Sequence, residues 1–335
     1  RIYEPIFLDC SHGFRPGRGC DTALVALNKP LMSAGCGALL EIDLQKYFNT
    51  IPHEPLERLL KLKISDQRFL HLIIKLLKAP TLDKDGKVVR NDVGSPQGSI
   101  LSPVLANLYL HYVLDIWFSW INDSELGGSA HLVRYADDAV FTFRKLEEAQ
   151  EFRRKLVVRL QSWGISLNET KTQVLPCGWQ TAAHYEHQGL EMPGFTFLGF
   201  LHVWGKSFNR KKGTWFWRVK RHTCPKRFRK KLAEITSYIR QHRHKKDLLT
   251  CVLRVVRGYL NYFAINDNQK RCNQFLYEVM GALFKWLNRR SQKRSMTWKR
   301  FLQVAEKVGF PRQVRLKNLL YCLSVAGPQA HAGCR

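Results

Sequence analysis

The stretch His131-Leu132-Val133-Arg134-Tyr135-Ala136-Asp137-Asp138-Ala139-Val140-Phe141-Thr142-Phe143 decides how this chain is read. Two short apolar runs flank adjacent acids, the pattern of two strands about a central Ala-Asp-Asp. Another acid ends a second apolar run: Gly37 to Asp43 is GALLEID, which suits a buried strand with a carboxylate at its exit. Carboxylates in strands that belong in the interior are costly unless a positive group neutralises them. The only base within either segment is Arg134, and Lys46 lies beyond the strand. A divalent cation is the economical partner, because Mg2+ takes one or two carboxylates and fills its other positions with waters and substrate phosphates. Two such ions, about 3.5–4 Å apart, activate an attacking oxygen and stabilise a leaving one in phosphoryl transfer. Taken alone, Asp137-Asp138 supports a second reading equally well, a hairpin turn of the kind in which Asp is common.

Outward from these acids the pattern is mixed. Pro52 and Pro55 punctuate the start of a helix predicted over 56–77, broken near Ser65-Asp66. Residues 80–93 carry the Asp85-Gly86 signal of a hairpin. After Gly94-Ser95-Pro96-Gln97-Gly98, apolar residues recur at 101, 104, 105, 108, 112, 113, 116, 117 and 120, a helical face of about five turns. Glu147 to Trp163 reads as an amphipathic helix closed by Gly164. Phe195 to Lys220 reads as two aromatic strands around the basic turn Asn209-Arg210-Lys211-Lys212-Gly213. Beyond Pro225 the pattern is helical, near 225–242, 247–264 and 269–290, with a shorter helix from Thr297.

The charge divides the chain as well. Its 335 residues are 45% hydrophobic, which excludes a disordered chain, a collagen-like repeat and a disulfide mini-scaffold. Lys and Arg number 54 against 27 Asp and Glu, a net of +27. Residues 1–196 hold 22 bases and 22 acids, whereas residues 197–335 hold 32 bases and 5 acids. A balanced α+β domain over 1–205 is therefore expected, followed by a basic helical domain over 206–335 whose natural partner is phosphate. In that half Trp215, Phe216 and Trp217 precede Lys226-Arg227-Phe228-Arg229-Lys230-Lys231, and Trp286 precedes Arg289, Arg290, Lys293 and Arg294. Exposed aromatics of this kind stack on unpaired bases. Most are nevertheless expected to pack between helices, because Leu, Val and Tyr share their faces.

Nine Cys is an odd count and no two stand two to four residues apart, so neither a disulfide framework nor a CxxC zinc site is readable. Cys322, His331 and Cys334 read as unrelated groups in a tail, with the remnant of a metal site as the other reading. No apolar run reaches 18 residues and Arg1-Ile2-Tyr3 is no signal peptide, so the expectation is a reducing, intracellular setting with no membrane. The chain opens without Met, in what reads as mid-domain sequence, and is expected to be a fragment or processed form.

Six blocks, in order, resemble one family. Asp43-Leu44-Gln45-Lys46-Tyr47-Phe48, Ser95-Pro96-Gln97-Gly98-Ser99-Ile100-Leu101-Ser102-Pro103 and Tyr135-Ala136-Asp137-Asp138 resemble successive palm motifs of reverse transcriptases. Gly13-Phe14-Arg15-Pro16-Gly17-Arg18-Gly19 resembles the preceding block of the group II intron-encoded subfamily. Gly164-Ile165-Ser166-Leu167-Asn168-Glu169-Thr170-Lys171-Thr172 and Phe197-Leu198-Gly199-Phe200 resemble the blocks that follow. Residues 224–303, with RVVRGYLNYF and LFKWLNRRSQKRSMTWKRF, are similar to the thumb or maturase domain of those proteins.

The resemblance implies a right-hand polymerase palm with partial fingers and an all-helical thumb. Asp43 and Asp137 would ligate two Mg2+ ions (or Mn2+), with the Leu44 carbonyl as auxiliary ligand and Asp138 in support. Phe48 falls where the family keeps a bulky gate against a ribose 2'-OH, with core packing as its other reading. Gln97 and Gly98 would line the nascent base pair, and Lys171 occupies the position of a lysine near the triphosphate or lies on solvated surface. Phe197, Leu198, Gly199 and Phe200 would hold the primer end, although FxFLGF serves equally well as a strand core. The thumb candidates for nucleic acid are Lys226, Arg227, Arg229, Lys230, Lys231, Arg289, Arg290, Lys293 and Arg294.

Two departures are noted. The fingers strands that bring Lys and Arg to the triphosphate lie upstream of GFRPGR in this family and are expected to be missing, which leaves Arg15 and Arg18 to the fingers fold or template path. No paired CxxC or matching His cluster follows the thumb, so no endonuclease extension is expected. The expected function is RNA-directed DNA synthesis in an intron-encoded bacterial maturase of the cytoplasm, with RNA template, intron RNA, a DNA or RNA primer and deoxynucleoside triphosphates as partners. Alternatives are a splicing maturase in which polymerisation is dispensable, and a domesticated relative in antiviral defence or CRISPR spacer acquisition. An RNA-directed RNA polymerase is disfavoured by Phe48.

Overall fold

The computed structural model describes residues 2–82, 86, 88–89, 93–95, 99–290 and 296–319. Helix α1 (Cys20–Leu31) leads to β1 (Ala38–Ile42), a single helical turn at Tyr47–Thr50, and helices α2 (His53–Lys61) and α3 (Gln67–Lys78). The expected break between the last two is real: Asp66 caps α3 by accepting from the backbone N–H groups of Arg68 and Phe69. The expected hairpin has its strands in β2 (Thr81–Leu82) and β3 (Val88–Val89), paired antiparallel, while Asp85 lies outside the described residues.

A four-stranded antiparallel sheet carries the acids. Its strands are β4 (His131–Tyr135), β5 (Asp138–Phe143) and β6 (Gln173–Pro176) together with β1, in the order β4-β5-β1-β6. The register runs from Ala38 opposite Phe143 to Ile42 opposite Ala139, and Tyr135 faces Asp138 across the hairpin. Helix α4 (Ser102–Ser124) and helix α5 (Leu146–Ser162) supply the aromatic half of the core, where Phe118 and Phe152 pack on Phe141. Within the 23 residues of α4 an 18-residue stretch has a mean hydropathy of 1.2, long and apolar enough to cross a membrane, yet 67% of that stretch is buried inside the fold. An apolar helix buried on most sides is the ordinary core of a globular unit.

The amphipathic spacing predicts a regular α4. Instead His111–Asp115 form a π turn, and it ends on Asp115, which is fully buried. Asp115 meets the equally buried Arg134: Nε donates to Oδ1 at 2.7 Å and Nη2 to Oδ2 at 2.5 Å. The remaining guanidinium protons go to Asn107 Oδ1 (3.0 Å), the Ala136 carbonyl (3.0 Å) and Ser11 Oγ (2.9 Å). Five donors thus meet five acceptors.

The described chain divides into two compact units, 1–198 with 204–219 and 199–203 with 220–335. A boundary at 205/206 would cut a strand, since β8 (Phe200–Asn209) continues through it as the middle strand between β7 (Phe195–Phe197) and β9 (Thr214–Thr223). The basic turn of that hairpin closes on Asn209, whose side-chain oxygen accepts from the N–H groups of Lys211 and Lys212. Helix α6 (Trp179–His187) precedes this sheet.

The second unit is helical as expected: α7 (Pro225–Gln241), α8 (Leu248–Phe263), α9 (Gln269–Asn288) and α10 (Trp298–Val308). They enclose their own core, in which Tyr259 stacks on Phe275 with ring centroids 3.7 Å apart, beside Val279, Leu283 and Phe301.

Removing one member of the Arg134–Asp115 pair strands a buried charge. Asp115→Asn or Arg134→Met is expected to cost about 3–5 kcal/mol in urea unfolding. The double variant Arg134→Met/Asp115→Leu should recover only part of this, because Asn107, Ser11 and the Ala136 carbonyl still lose their donor; full recovery would show that those bonds contribute nothing.

Candidate active site

Asp43 follows β1, where the strand leaves the interior, and its main chain is held by a second segment. Gln45 N–H donates to the Ser166 carbonyl (2.9 Å), Asn168 N–H to the Asp43 carbonyl (2.8 Å), and Leu44 bridges Leu167 antiparallel. The carboxylate is held by the same segment: Asn168 Nδ2 and Lys171 Nζ both donate to Oδ2 at 3.0 Å. Asp43 is 26% exposed and Lys171 64%, so this ion pair stands at the mouth of the site. The structure places Lys171 on the carboxylate itself rather than on plain solvated surface. Asn168 was not singled out from sequence, although its place in the GISLNETK block, opposite the exit of β1, was the available signal.

Asp137 sits in the β4–β5 turn, which depends on Ala136 taking the left-handed conformation at φ 56°. An L-residue there is disfavoured, and two contacts hold it. Arg134 Nη1 binds the Ala136 carbonyl, and Gly13 packs on the turn so closely that a Cβ would lie 2.5 Å from the Ala136 nitrogen. Gly13 is itself fixed by Asn107 Nδ2, which donates to its carbonyl at 2.6 Å. Continuing the β1–β5 register beyond Ile42 and Ala139 brings Asp43 beside Asp138, with Asp137 one residue further into the turn.

Burial pushes the Asp137 carboxyl above its ordinary range, and the charge of Asp43 adds to that; its own backbone N–H, Lys171 and Arg134 act in the opposite sense. Glu41, two residues before Asp43 on the same face of β1, is a fourth acid of the group. Burial raises its carboxyl, Gln173 Nε2 donating at 2.9 Å lowers it, and Asp138 and Asp43 raise it further. Sequence reading overlooked Glu41 because an acid one step inside an apolar strand looked like part of the strand. Among the described residues no group of three or more His, Cys, Asp or Glu side chains is placed to hold a metal by itself. Asp43 and Asp137 instead fit a cation that takes two carboxylates and draws its other ligands from water and substrate, as Mg2+ does.

Phe48 is half-buried against the core and its ring lies 5.6 Å from that of Tyr47. Its carbonyl accepts from Ser95 N–H at 2.7 Å. The preceding Gly94, at φ 82°, rests on Asn49 so closely that a Cβ would be 2.6 Å away. The start of the Gly94-Ser95-Pro96-Gln97-Gly98 loop is thereby tied to Phe48, while Gln97 and Gly98 lie outside the described residues.

Phe197, Leu198 and Phe200 are buried, and Phe200 packs on Tyr262 and Phe263, so their side chains serve as core. What the 198–199 turn presents is backbone, at φ 50° and 79°. Arg15 is buried and committed to structure: its guanidinium binds Glu4 and the carbonyls of Leu8 and Ser11. Arg18 pairs with Asp9. Lys226, Arg227, Arg229 and Lys230 are exposed, while Lys231 is half-buried and paired with Glu234 at 3.3 Å. Arg289 lies over the Trp286 ring, and Arg290 donates to the carbonyls of Arg243 and Lys245. Lys293 and Arg294 lie outside the described residues.

A carboxyl raised by folding contributes stability below the ordinary carboxylate range and loses it as pH rises through the raised value. At neutral pH the ionised Asp137 is therefore a cost. Asp137→Asn is expected to raise the melting temperature in EDTA, by about 2–4 °C per 1 kcal/mol relieved, and the gain should fade as pH falls well below the ordinary carboxylate range, where both states of the parent are protonated. An unchanged melting temperature at pH 7 would contradict the burial of this charge.

Residues 2–202 match the reverse transcriptase (RNA-dependent DNA polymerase) family. Over 110 residues, 33% of this chain, it is 49% identical to an uncharacterised 91 kDa protein in the cob intron of Schizosaccharomyces pombe, and 46% identical to the group II intron-encoded protein LtrA of Lactococcus lactis. Those stretches are 13% and 18% of the two relatives, so the chain spans a small part of their length. They bear out the resemblance to intron-encoded proteins. Among solved structures, telomerase from Candida albicans aligns over 89% of this chain and 52% of its own at 13% identity and a TM-score of 0.43. The family match runs from the residues before Gly13 to the strand after Phe197 and takes in every carboxylate and loop of the site described above, and the chain accordingly belongs to the reverse transcriptase family.

Proposed function

We propose that this chain is the polymerising part of an RNA-directed DNA polymerase encoded by a group II intron, and that its basic helical unit grips intron RNA as a maturase. The observation that carries the reading is the meeting of Asp43 and Asp137, which come from strands 94 residues apart, with burial first and the Asp43 charge second raising the cost of ionising Asp137. Folding has gathered like charges where they repel, an arrangement that a divalent cation and a polyphosphate substrate relieve. The free state of all seven described cysteines supports a reducing, cytoplasmic setting.

Each residue of the chain then has a task. Asp43 and Asp137 would hold two Mg2+ (or Mn2+) ions, with the Leu44 carbonyl available beside them and Asp138 adding negative charge from β5. The ions, when bound, supply charge neutralisation at the attacking and leaving oxygens. Asn168 orients the Asp43 carboxylate. Lys171, which shares the same oxygen, provides a mobile cation at the mouth of the site where an incoming triphosphate would bring negative charge. Phe48, half-buried and anchored through its carbonyl to Ser95, would present its ring edge to the sugar and reject a 2'-OH by contact. Gln97 and Gly98 would meet the nascent base pair, and the backbone of the Leu198-Gly199 turn the primer.

A maturase role separable from polymerisation is favoured by one observation: the second unit has its own core and carries most of the basic excess. Its exposed cations neutralise phosphates with counterion release and little sequence preference.

Mg2+-dependent extension of a primer on an RNA template is expected from the complete polypeptide. Asp43→Ala or Asp137→Ala should each reduce it by about 10³-fold or more, the scale of losing a principal transition-state stabiliser; extension that survives both changes removes the metal assignment. Phe48→Ala should raise ribonucleotide over deoxynucleotide incorporation, measured as a ratio of kcat/KM values in one assay. An unchanged ratio makes Phe48 a packing residue. Reversal of Lys226, Arg227, Arg229, Lys230 and Lys231 to Glu should flatten the dependence of RNA affinity on salt, whose slope falls by about 0.7–0.9 for each phosphate no longer neutralised. Asp137→Ala should leave that dependence intact.

A further inference from the structure

The second unit contains a cleft that the polymerase reading does not use. It lies between α7 and α9, with the start of α10 at one end, and encloses about 1060 Å³. That is just above the roughly 300–1,000 Å³ of small-ligand sites. The room exists because Ala233, Gly281 and Ala282 contribute almost no side chain to it. Its walls are of two kinds. Tyr277, Trp286 and Trp298 are aromatic, and Arg229, Arg240 and Lys285 are cationic.

The rings are accessible. Tyr277 is 70% exposed, and Trp298 remains 37% exposed although it packs on Phe284 and Phe301. Trp286 is covered by charge: Arg240, Lys285 and Arg289 lie 5.7, 5.7 and 5.4 Å from its centroid. Glu278 is the one acid that lines the cleft. Large apolar rings left open beside cations, in a half of the chain with 32 bases and 5 acids, do not suit a cationic or purely apolar partner. They suit an anion that carries flat rings. A base-paired A-form helix keeps its base faces stacked inside, whereas unpaired nucleotides offer face and phosphate together.

We infer that this cleft seats unpaired RNA nucleotides, with bases stacked against Tyr277 and Trp298 and phosphates met by Arg229, Arg240 and Lys285. The inference rests on the RNA-binding reading above and deepens it: the second unit holds a bulge or loop of its RNA as well as phosphates along a duplex. A protein segment is the competing occupant, and the cationic rim argues against it.

The test uses the full chain, with fluorescence anisotropy of a short single-stranded oligoadenylate and of a blunt RNA duplex across a salt series. Tyr277→Ala, at an exposed position, should weaken oligoadenylate binding by about 5- to 100-fold, the effect of removing one base–ring stack. Its salt slope and its duplex affinity should stay as in the parent. Arg240→Gln/Lys285→Gln should instead lower the oligoadenylate slope by about 0.7 for each phosphate left without its cation. Undiminished oligoadenylate binding in Tyr277→Ala, or an equal loss on the duplex, overturns the inference. If the parent binds RNA and primer extension is intact in either case, the polymerase reading stands and only the cleft assignment falls. A parent protein that binds neither RNA and extends no primer overturns both.

Discussion

The buried guanidinium of Arg134 is the constraint on which the polymerase-type unit depends. A charge with no exposure is tolerable only when every donor is answered, and the answers come from four separate places: Asp115, Asn107, Ser11 and the Ala136 carbonyl. Asp115 stands at the end of a π turn in the central helix, and Ser11 belongs to the segment that leads into Gly13. Satisfying one side chain therefore fixes helix, N-terminal segment and hairpin against one another. The same guanidinium holds Ala136 in its left-handed conformation, and that conformation aims Asp137. Structure and site are joined at one residue.

What the hairpin holds in place is electrostatically unfavourable. Glu41, Asp43, Asp137 and Asp138 approach one another on two adjoining strands, and burial makes their repulsion stronger than it would be in water. The donors that sustain them include Asn168 and Lys171 on Asp43, Gln173 and the backbone of Thr196 on Glu41, and the backbone N–H of Asp137 on its own carboxylate. Lys171, 64% exposed, reaches in from solvent. Such a site is built to accept positive charge, and its own stability is the lesser for it.

The second unit solves a different problem. Its core of Tyr259, Phe275, Val279 and Phe301 resembles that of any helical bundle, while its surface carries cations that few acids can answer. Glu234, Asp247 and Glu306 are already paired with Lys231, Lys245 and Arg312. The remaining charge repels itself, a cost that a polyanion removes. Aromatic residues divide accordingly: Phe228 and Phe301 fill the core, whereas Tyr277 stays in water beside Arg240 and Lys285.

Local pattern was enough to find the strands at 38–42 and 131–143, the capped break at Asp66, the four basic helices and the acids at 43, 137 and 138, because periodicity, caps and an acid inside an apolar run are properties of neighbouring residues. The charge step likewise announced a second unit. Where that unit begins was not legible, since β8 runs through the compositional boundary and pairing with β9, not composition, decides which residues belong together. Nor could sequence show that Arg15 is spent on Glu4 and backbone carbonyls, or that Phe197 and Phe200 face the interior. The partners of Arg134 lie from 2 to 123 residues away, and the Lys171–Asp43 pair spans 128. Residue types and spacing fix which groups can carry charge and where chains turn; which charges meet is set by long-range packing, because a hydrogen bond depends on distance in space and not along the chain.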